Sequence, residues 1–377
     1  MAPLPATHRA LVLNAIGEPL EVQTKPTPQA TPGSAVVKVL TAKILSYGGD
    51  IYNGKRNYPL PTPLVPGSGA IGRVAAVGSD ATSLAAGDLV LVDIFLRGRD
   101  DPSIAALSGV HEGHLESSTR LMRGEWRDST YAEYAKMPLE NCYKLDEKRL
   151  LRPTTAGGLG YTLEDLLTLL VQPVAFGGLR CIGLEPGDKV IVSPATGPFG
   201  SAAVQVALAM GASVVAMGRN MDALRKLQAI CAEGRVQLVQ ITNDQQQEME
   251  ALAKYGPADA FFDISPPAAA GSSHIRSGML SLKHSGRVCL MGSGIGDVVI
   301  PAAALTYKNL TIKGKWMYER ADILKMIQMA EGGMLPLGSQ AGWVTTGRYQ
   351  LEQWEEAFAS AAKHAGPGER VLFEFTE

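Results

Sequence analysis

The sequence predicts an α/β chain of two domains. A β-rich domain is expected over residues 1–165 and a doubly wound parallel sheet over 166–315, followed by a C-terminal segment, 316–377. Three observations predict this. Short apolar runs broken by Gly, Pro and Asp fill the first part, as closely spaced strands and turns do. From Lys189 onward, strand-like runs alternate with helical stretches. That alternation opens on a turn, Ala195-x-Gly197-x-x-Gly200, set between a strand and a helix.

In chain order, the strands of the first domain are RALVLN, SAVVKVLTAKIL, GAIGRVAAVG, GDLVLVDIFL and STYAEYAKMP. The polar stretch from 97 to 130 reads as one long loop. His111 and His114 lie within it, in HEGH, and two histidines fall short of the three or four convergent ligands a zinc site needs. They are expected to be solvated. In the second domain Lys189–Val192 is a short β-branched run, as a buried parallel strand requires. A small-residue helix follows from Ser201 to Met210, Gly211 ends it, and Ser213–Met217 forms the next strand. VQLVQIT, DAFFDIS, GRVCLMG and LTIKGK continue the sheet. The last segment contributes two helices, ADILKMIQMAEGG and WEEAFASAAKH, and a closing strand, RVLFEF.

The strand–turn–helix unit carries the first chemistry. A glycine turn at a helix N-terminus lets backbone N–H groups and the positive end of the helix dipole approach a pyrophosphate. A dinucleotide is therefore expected on Thr196, Gly197, Phe199 and Gly200. The end of the second strand selects between cofactors. NAD sites place Asp or Glu there to hold the ribose 2′-hydroxyl, whereas this chain has Gly218-Arg219-Asn220. A guanidinium can hold a 2′-phosphate with two hydrogen bonds, and no carboxylate is present to repel it. NADP(H) is the expected cofactor.

Composition excludes other classes. The net charge of −2 gives no basic field for nucleic acid. No segment approaches about 18 uninterrupted apolar residues, so no membrane span is expected, and the N-terminus lacks the pattern of a signal peptide. A cytoplasmic location is the default. The four cysteines, Cys142, Cys181, Cys231 and Cys289, are isolated in sequence, and a reduced chain is expected.

PLVPGSGAIGRVAAVGSDATSLAAGDLVLV, DSTYAEYAKMP, GDKVIVSPATGPFG and SGRVCLMGSG together resemble the medium-chain dehydrogenase/reductase superfamily over nearly the whole chain. The chain also looks like fungal alcohol-dehydrogenase-like proteins with a GroES-like domain. The resemblance implies a GroES-like catalytic domain, a Rossmann domain and a C-terminal return to the catalytic domain. It also implies ribose contacts from Asp263 and Ser265, and a nicotinamide-facing loop at Met291, Gly292 and Ser293. GDVVIP resembles the superfamily's dimer edge, so a homodimer is expected.

The departures matter equally. Zinc relatives carry a cysteine in a pattern like G-[IV]-C-x-[ST]-D, where this chain reads Lys43-Ile44-Leu45-Ser46-Tyr47-Gly48. Their Gly-His-Glu motif is here Gly67-Ser68-Gly69, and Leu166–Phe176 supplies no Cys, His, Asp or Glu. Leucine cannot ligate zinc and a lone hydroxyl is a poor substitute for imidazole, so no metal is expected. Without a Lewis acid, charge on a substrate oxygen must be met by hydrogen-bond donors. An enolate or quinol spreads that charge, and zinc-free branches of the superfamily are often quinone or enone reductases. The expected activity is zinc-independent, NADP(H)-dependent hydride transfer to an activated C=C. The alternatives are zinc-free alcohol or carbonyl chemistry and a non-catalytic NADPH-binding protein. Tyr47 stands where relatives keep the hydroxyl of their proton relay and is the candidate donor, with Ser46 and Ser68 flanking it. Leu45, Ile51, Trp316 and Met317 suggest a small hydrophobic carbonyl-containing substrate.

Overall fold

The computed structural model describes residues 4–231, 234–292 and 296–375, and the chain divides into two compact units. The first unit comprises residues up to Leu170 together with 344–365 and 369–377. Its strands begin with β1 (Thr7–Val12), β2 (Glu21–Pro26), β3 (Ser34–Lys43), β4 (Ala70–Val77) and β5 (Leu89–Val92). They continue with β6 (Phe95–Arg97), β7 (Ala105–Leu107), β8 (Tyr134–Pro138) and β9 (Cys142–Lys144). Four short helices interleave: α1 (Gly48–Tyr52), α2 (Glu116–Arg123), α3 (Glu147–Leu151) and α4 (Leu163–Leu166).

The second unit runs from Val171 to Trp343 with 366–368. It holds β10 (Lys189–Ser193), β11 (Ser213–Gly218), β12 (Val236–Gln240), β13 (Ala258–Asp263), β14 (Leu282–Leu290) and β15 (Thr311–Gly314). Its helices are α5 (Gln172–Cys181), α6 (Pro198–Ala209), α7 (Met221–Ala229), α8 (Gln245–Ala253), α9 (His274–Leu280), α10 (Ala302–Tyr307) and α11 (Arg320–Glu331). The chain then re-enters the first unit with β16 (Val344–Tyr349), α12 (Trp354–Lys363) and β17 (Glu369–Glu374).

In the first unit a seven-stranded sheet runs β16-β17-β3-β4-β5-β9, with β8 pairing β3 off that path. β3 is its spine because nine of its ten residues are buried. Val37, Val39, Ala42, Tyr52, Tyr131 and Phe373 share the core beneath it. In the second unit all pairings are parallel, in the order β12-β11-β10-β13-β14-β15. The strand order reverses between β10 and β13, and ligands of doubly wound sheets bind beyond the carboxyl ends of the strands at such a point. β10 is buried at Val190–Ser193, as a central strand covered on both faces must be.

Two sequence expectations are corrected. The return to the first unit begins at Val344 rather than 316, because α11 packs on α5 within the second unit. The 97–130 stretch is not a single solvated loop. It contains β7 and α2, and it buries His111 and Glu112. His111 Nδ1 accepts from Gly113 N at 2.9 Å, and Glu112 accepts from Arg123 at 3.2 and 3.3 Å. Tyr52 is buried and donates to the Gly109 carbonyl at 3.0 Å.

Candidate active site

The phosphate turn is built by what its glycines leave out. Gly197 caps α6, whose first residue is Pro198. Helix starts offer backbone N–H groups and the positive end of the dipole to an anion, and the N-terminus of α6 lies at this turn. A Cβ on Gly200 would lie 2.1 Å from the Pro194 carbonyl oxygen, so only glycine lets the helix sit this close to the strand. A Cβ on Gly197 would meet no atom within 4 Å, leaving open space at the turn itself. Gly218 is constrained in the same way, since its Cβ would come 2.8 Å from Thr196 Cγ2. Close packing of Thr196 on the end of β11 thus places Arg219 just outside the turn. Arg219 is exposed and makes no ion pair among the described residues. These residues fit a dinucleotide.

Asn220, expected beside Arg219 at the 2′-phosphate, also has a structural role through its carboxamide oxygen. Its Oδ1 accepts from Asp222 N at 2.9 Å and Ala223 N at 3.1 Å, making it the N-cap of α7. Asp263 and Ser265 are also committed internally rather than presented to a ribose. Ser265 Oγ donates to Asp263 Oδ1 at 2.5 Å, and Asp263 Oδ2 accepts from Gly292 N at 3.3 Å. His274 Nε2 lies 2.8 Å from Ser265 Oγ and 3.3 Å from Asp263 Oδ1. The serine proton goes to the carboxylate, so the imidazole is assigned as donor through Nε2. In a neutral ring Nδ1 then accepts from Ser272 Oγ at 2.8 Å. All three side chains are buried. A Cβ on Gly292 would sit 2.6 Å from Asp263 Oδ2, so this glycine too is a packing requirement. Met291 packs its sulfur where a Cβ on Gly178 of α5 would stand. Ser293 lies outside the described residues.

In the first unit, Tyr47 sits ahead of α1 with the Arg56 guanidinium 3.9 Å from its ring centroid. Burial pushes its phenol well above the usual range, so at neutral pH it keeps its proton and offers a hydrogen bond. Ser46 is half-buried. Ser68 is corrected. Its Oγ donates to the Lys43 carbonyl at 2.5 Å, and Tyr131 OH donates to the same oxygen at 3.1 Å. The Ser68 proton holds the end of β3 rather than serving a substrate.

Two residues escaped the sequence reading. Lys43 is buried where zinc relatives have glycine, and desolvation draws its amine down to about 7. Gln172, first in α5, is fully buried, and neither end of its carboxamide has a hydrogen-bond partner among the described residues. Buried amides are nearly always satisfied, and an exception marks a place for a polar ligand or water. The available signal was one polar side chain inside an apolar run.

The residues do not fit zinc. Leu45 packs against the hydrophobic core and Ser68 is engaged. Among the described residues no group of three or more His, Cys, Asp or Glu side chains converges.

Comparison with known proteins agrees with this architecture. The model of the alcohol dehydrogenase GroES-like domain matches residues 31–147, and that of the zinc-binding dehydrogenase matches residues 198–332. The chain belongs to the medium-chain dehydrogenase/reductase superfamily and has its GroES-like and Rossmann domains. It is 26% identical to D-xylulose reductase A of Aspergillus niger, over 97% of this chain and 96% of that one. It is 23% identical to the sorbitol dehydrogenase of Rattus norvegicus, over 97% and 96%. A thermostable alcohol dehydrogenase from Pyrobaculum aerophilum shares the fold at 20% identity and a TM-score of 0.72, over 98% of this chain and all of that one. Family and fold define an oxidoreductase that uses a nicotinamide dinucleotide.

Proposed function

We propose that this protein interconverts an alcohol and its carbonyl compound, using NADP(H) and no metal. The observation that carries the reading is the whole-length likeness to enzymes named for sugar-alcohol and alcohol chemistry. This displaces enone or quinone reduction, the first expectation from sequence, to second place. Enone reduction keeps one observation in its favour: Leu45 and Ser68 stand at zinc-ligand positions, and a delocalised enolate needs less charge stabilisation than an alkoxide.

The bound cofactor supplies or accepts the hydride. The Gly197–Gly200 turn holds its pyrophosphate. Arg219 faces the 2′-phosphate, and NADP(H) is preferred because no carboxylate stands beside it at the end of β11. Tyr47 donates to the substrate oxygen. A phenol whose proton is secured by burial supports an alkoxide by hydrogen bonding and leaves net protonation to solvent.

The test is product analysis with cinnamaldehyde, run in parallel with NADPH and NADH. Cinnamyl alcohol formed with NADPH is the expected result. The saturated aldehyde would move the protein to enone reduction, equal rates with NADH would remove the role of Arg219, and no cofactor consumption would count against both reactions. In the same assay Tyr47→Phe should lower turnover by at least about tenfold, roughly 1.4 kcal/mol. A drop under about threefold would remove Tyr47 from the reaction.

A further inference from the structure

Cys181 and Cys289 are 108 residues apart in sequence, yet their Sγ atoms lie 3.6 Å apart. Cys181 ends α5 and Cys289 lies on β14, and both are free thiols. Their access differs: Cys289 is fully buried, while Cys181 is partly exposed. Lys313, the register partner of Cys289 on β15, donates from Nζ to the Cys181 carbonyl at 2.9 Å. The hydrogen bond with Cys289, aided by the charges of Lys313 and Lys315, draws the Cys181 thiol down to about 7. The same hydrogen bond, together with burial, holds the Cys289 thiol up. One thiol thus belongs to a partly exposed residue and is ready to ionise, and the other is shielded beside it. Redox-responsive cysteine pairs have this division between an attacking and a resolving thiol.

We propose that Cys181 and Cys289 close to a reversible disulfide when the protein meets hydrogen peroxide. The Cys181 thiolate attacks one peroxide oxygen, the O–O bond breaks, and the departing hydroxide takes up the proton that the Cys181 thiol released and leaves as water. Cys181 is then a sulfenic acid. The Cys289 sulfur attacks Cys181 Sγ, the S–O bond breaks, and a second water leaves with the Cys289 proton. Two thiols are oxidised and one peroxide is reduced to two waters. The sulfurs close to about 2.05 Å by side-chain movement. The bond ties the end of α5 to β14 two residues before Met291, and so fixes the strand end that carries Gly292.

The site stands independently of the substrate reading, and its test needs no turnover. Full-length protein is treated with hydrogen peroxide, its remaining thiols are blocked with N-ethylmaleimide, and it is digested with trypsin without reduction. The expected product joins the peptide Cys181–Lys189 to Val288–Lys308, lighter by two hydrogens than their sum and separated by dithiothreitol. In Cys289→Ser the same oxidant should leave a sulfenic acid on Cys181 that dimedone traps, and in Cys181→Ser the Cys289 thiol should stay reduced. The proposal is overturned if both wild-type peptides carry N-ethylmaleimide. It is equally overturned if Cys181 accumulates as sulfonic acid without a cross-link, or if Cys181 pairs with another cysteine. The wild-type peptide map decides the question even if a variant fails to fold.

Discussion

Lys43 is 7% exposed at the end of β3, and its carbonyl receives hydrogen bonds from both Ser68 and Tyr131. Its amine is drawn from an ordinary value of 10.5 to about 7 by desolvation. The sign of the consequence follows from proton counting. Between about pH 7 and 10.5 the unfolded chain holds a proton on Lys43 that the folded chain has lost, so stability rises with pH across that window. Below about 7 both states are protonated, and the contribution of Lys43 no longer changes with pH. Lys43→Met keeps the stem and removes the charge. It should raise Tm at pH 6.5 by an amount on the order of a few kcal/mol in stability, and much less at pH 9.5. Thermal unfolding of both proteins at the two pH values checks this, and an equal gain at both would show that the Lys43 charge is not being desolvated. The sequence displayed this lysine in the position of a family glycine, but burial is a property of the neighbours, and no local pattern announced it.

At the scale of elements, the Asp263–Ser265–His274 cluster joins the end of β13 to α9 and, through Gly292 N–H, to the end of β14. Asp263→Ala removes an acceptor shared by the Ser265 hydroxyl, His274 Nε2 and Gly292 N, and leaves Ser265 and His274 only each other at 2.8 Å. Leaving a buried neutral hydrogen-bonding group unsatisfied typically costs about 1–3 kcal/mol, and the loss should appear as a lower urea midpoint. Asn at the same position keeps one acceptor and should recover part of that stability. If Asp263→Ala unfolds at the wild-type midpoint, the cluster does not hold these strand ends. The parallel sheet itself was legible because β-branched runs, glycine turns and helical periods are local signals, and β10, α6 and β11 lie where those signals put them. The cluster was not legible. Asp263 and His274 are brought together by the sheet crossover, and in sequence Asp263 reads as an ordinary cofactor contact. The capping role of Asn220 was not legible either, since a residue at a strand end is also the first cap of the next helix. In the β-rich unit, the apolar runs marked β3 to β5 clearly, whereas the burial of His111 and Glu112 arises from tertiary packing of a stretch whose composition is that of a loop.

For the whole molecule, the open question between its family and its residues is the metal. The zinc-binding dehydrogenase model matches residues 198–332, within the nucleotide-binding unit. Likeness there reports the Rossmann framework and leaves the donor set of the catalytic unit to be judged on its own side chains. Those side chains are the wrong kind. Leu45 offers no lone pair, and Ser68 has its hydroxyl fixed on the Lys43 carbonyl. No three potential ligands converge elsewhere among the described residues. Zinc held by thiolate and imidazole makes bonds strong enough to survive purification. The protein purified without chelator should therefore carry well under 0.1 zinc per chain by elemental analysis, a threshold set at roughly a tenth of one structural site. Its rate of NADPH oxidation should also be unchanged after dialysis against EDTA. One zinc per chain together with loss of activity on chelation would mean that ligands assemble from residues outside this reading, and the hydrogen-bonded, metal-free centre built on Tyr47 would be withdrawn. Zinc-free protein with full activity would instead establish that an alcohol-dehydrogenase framework can run with a phenol in place of its Lewis acid, and would focus the search for substrate on carbonyls activated enough to need no metal.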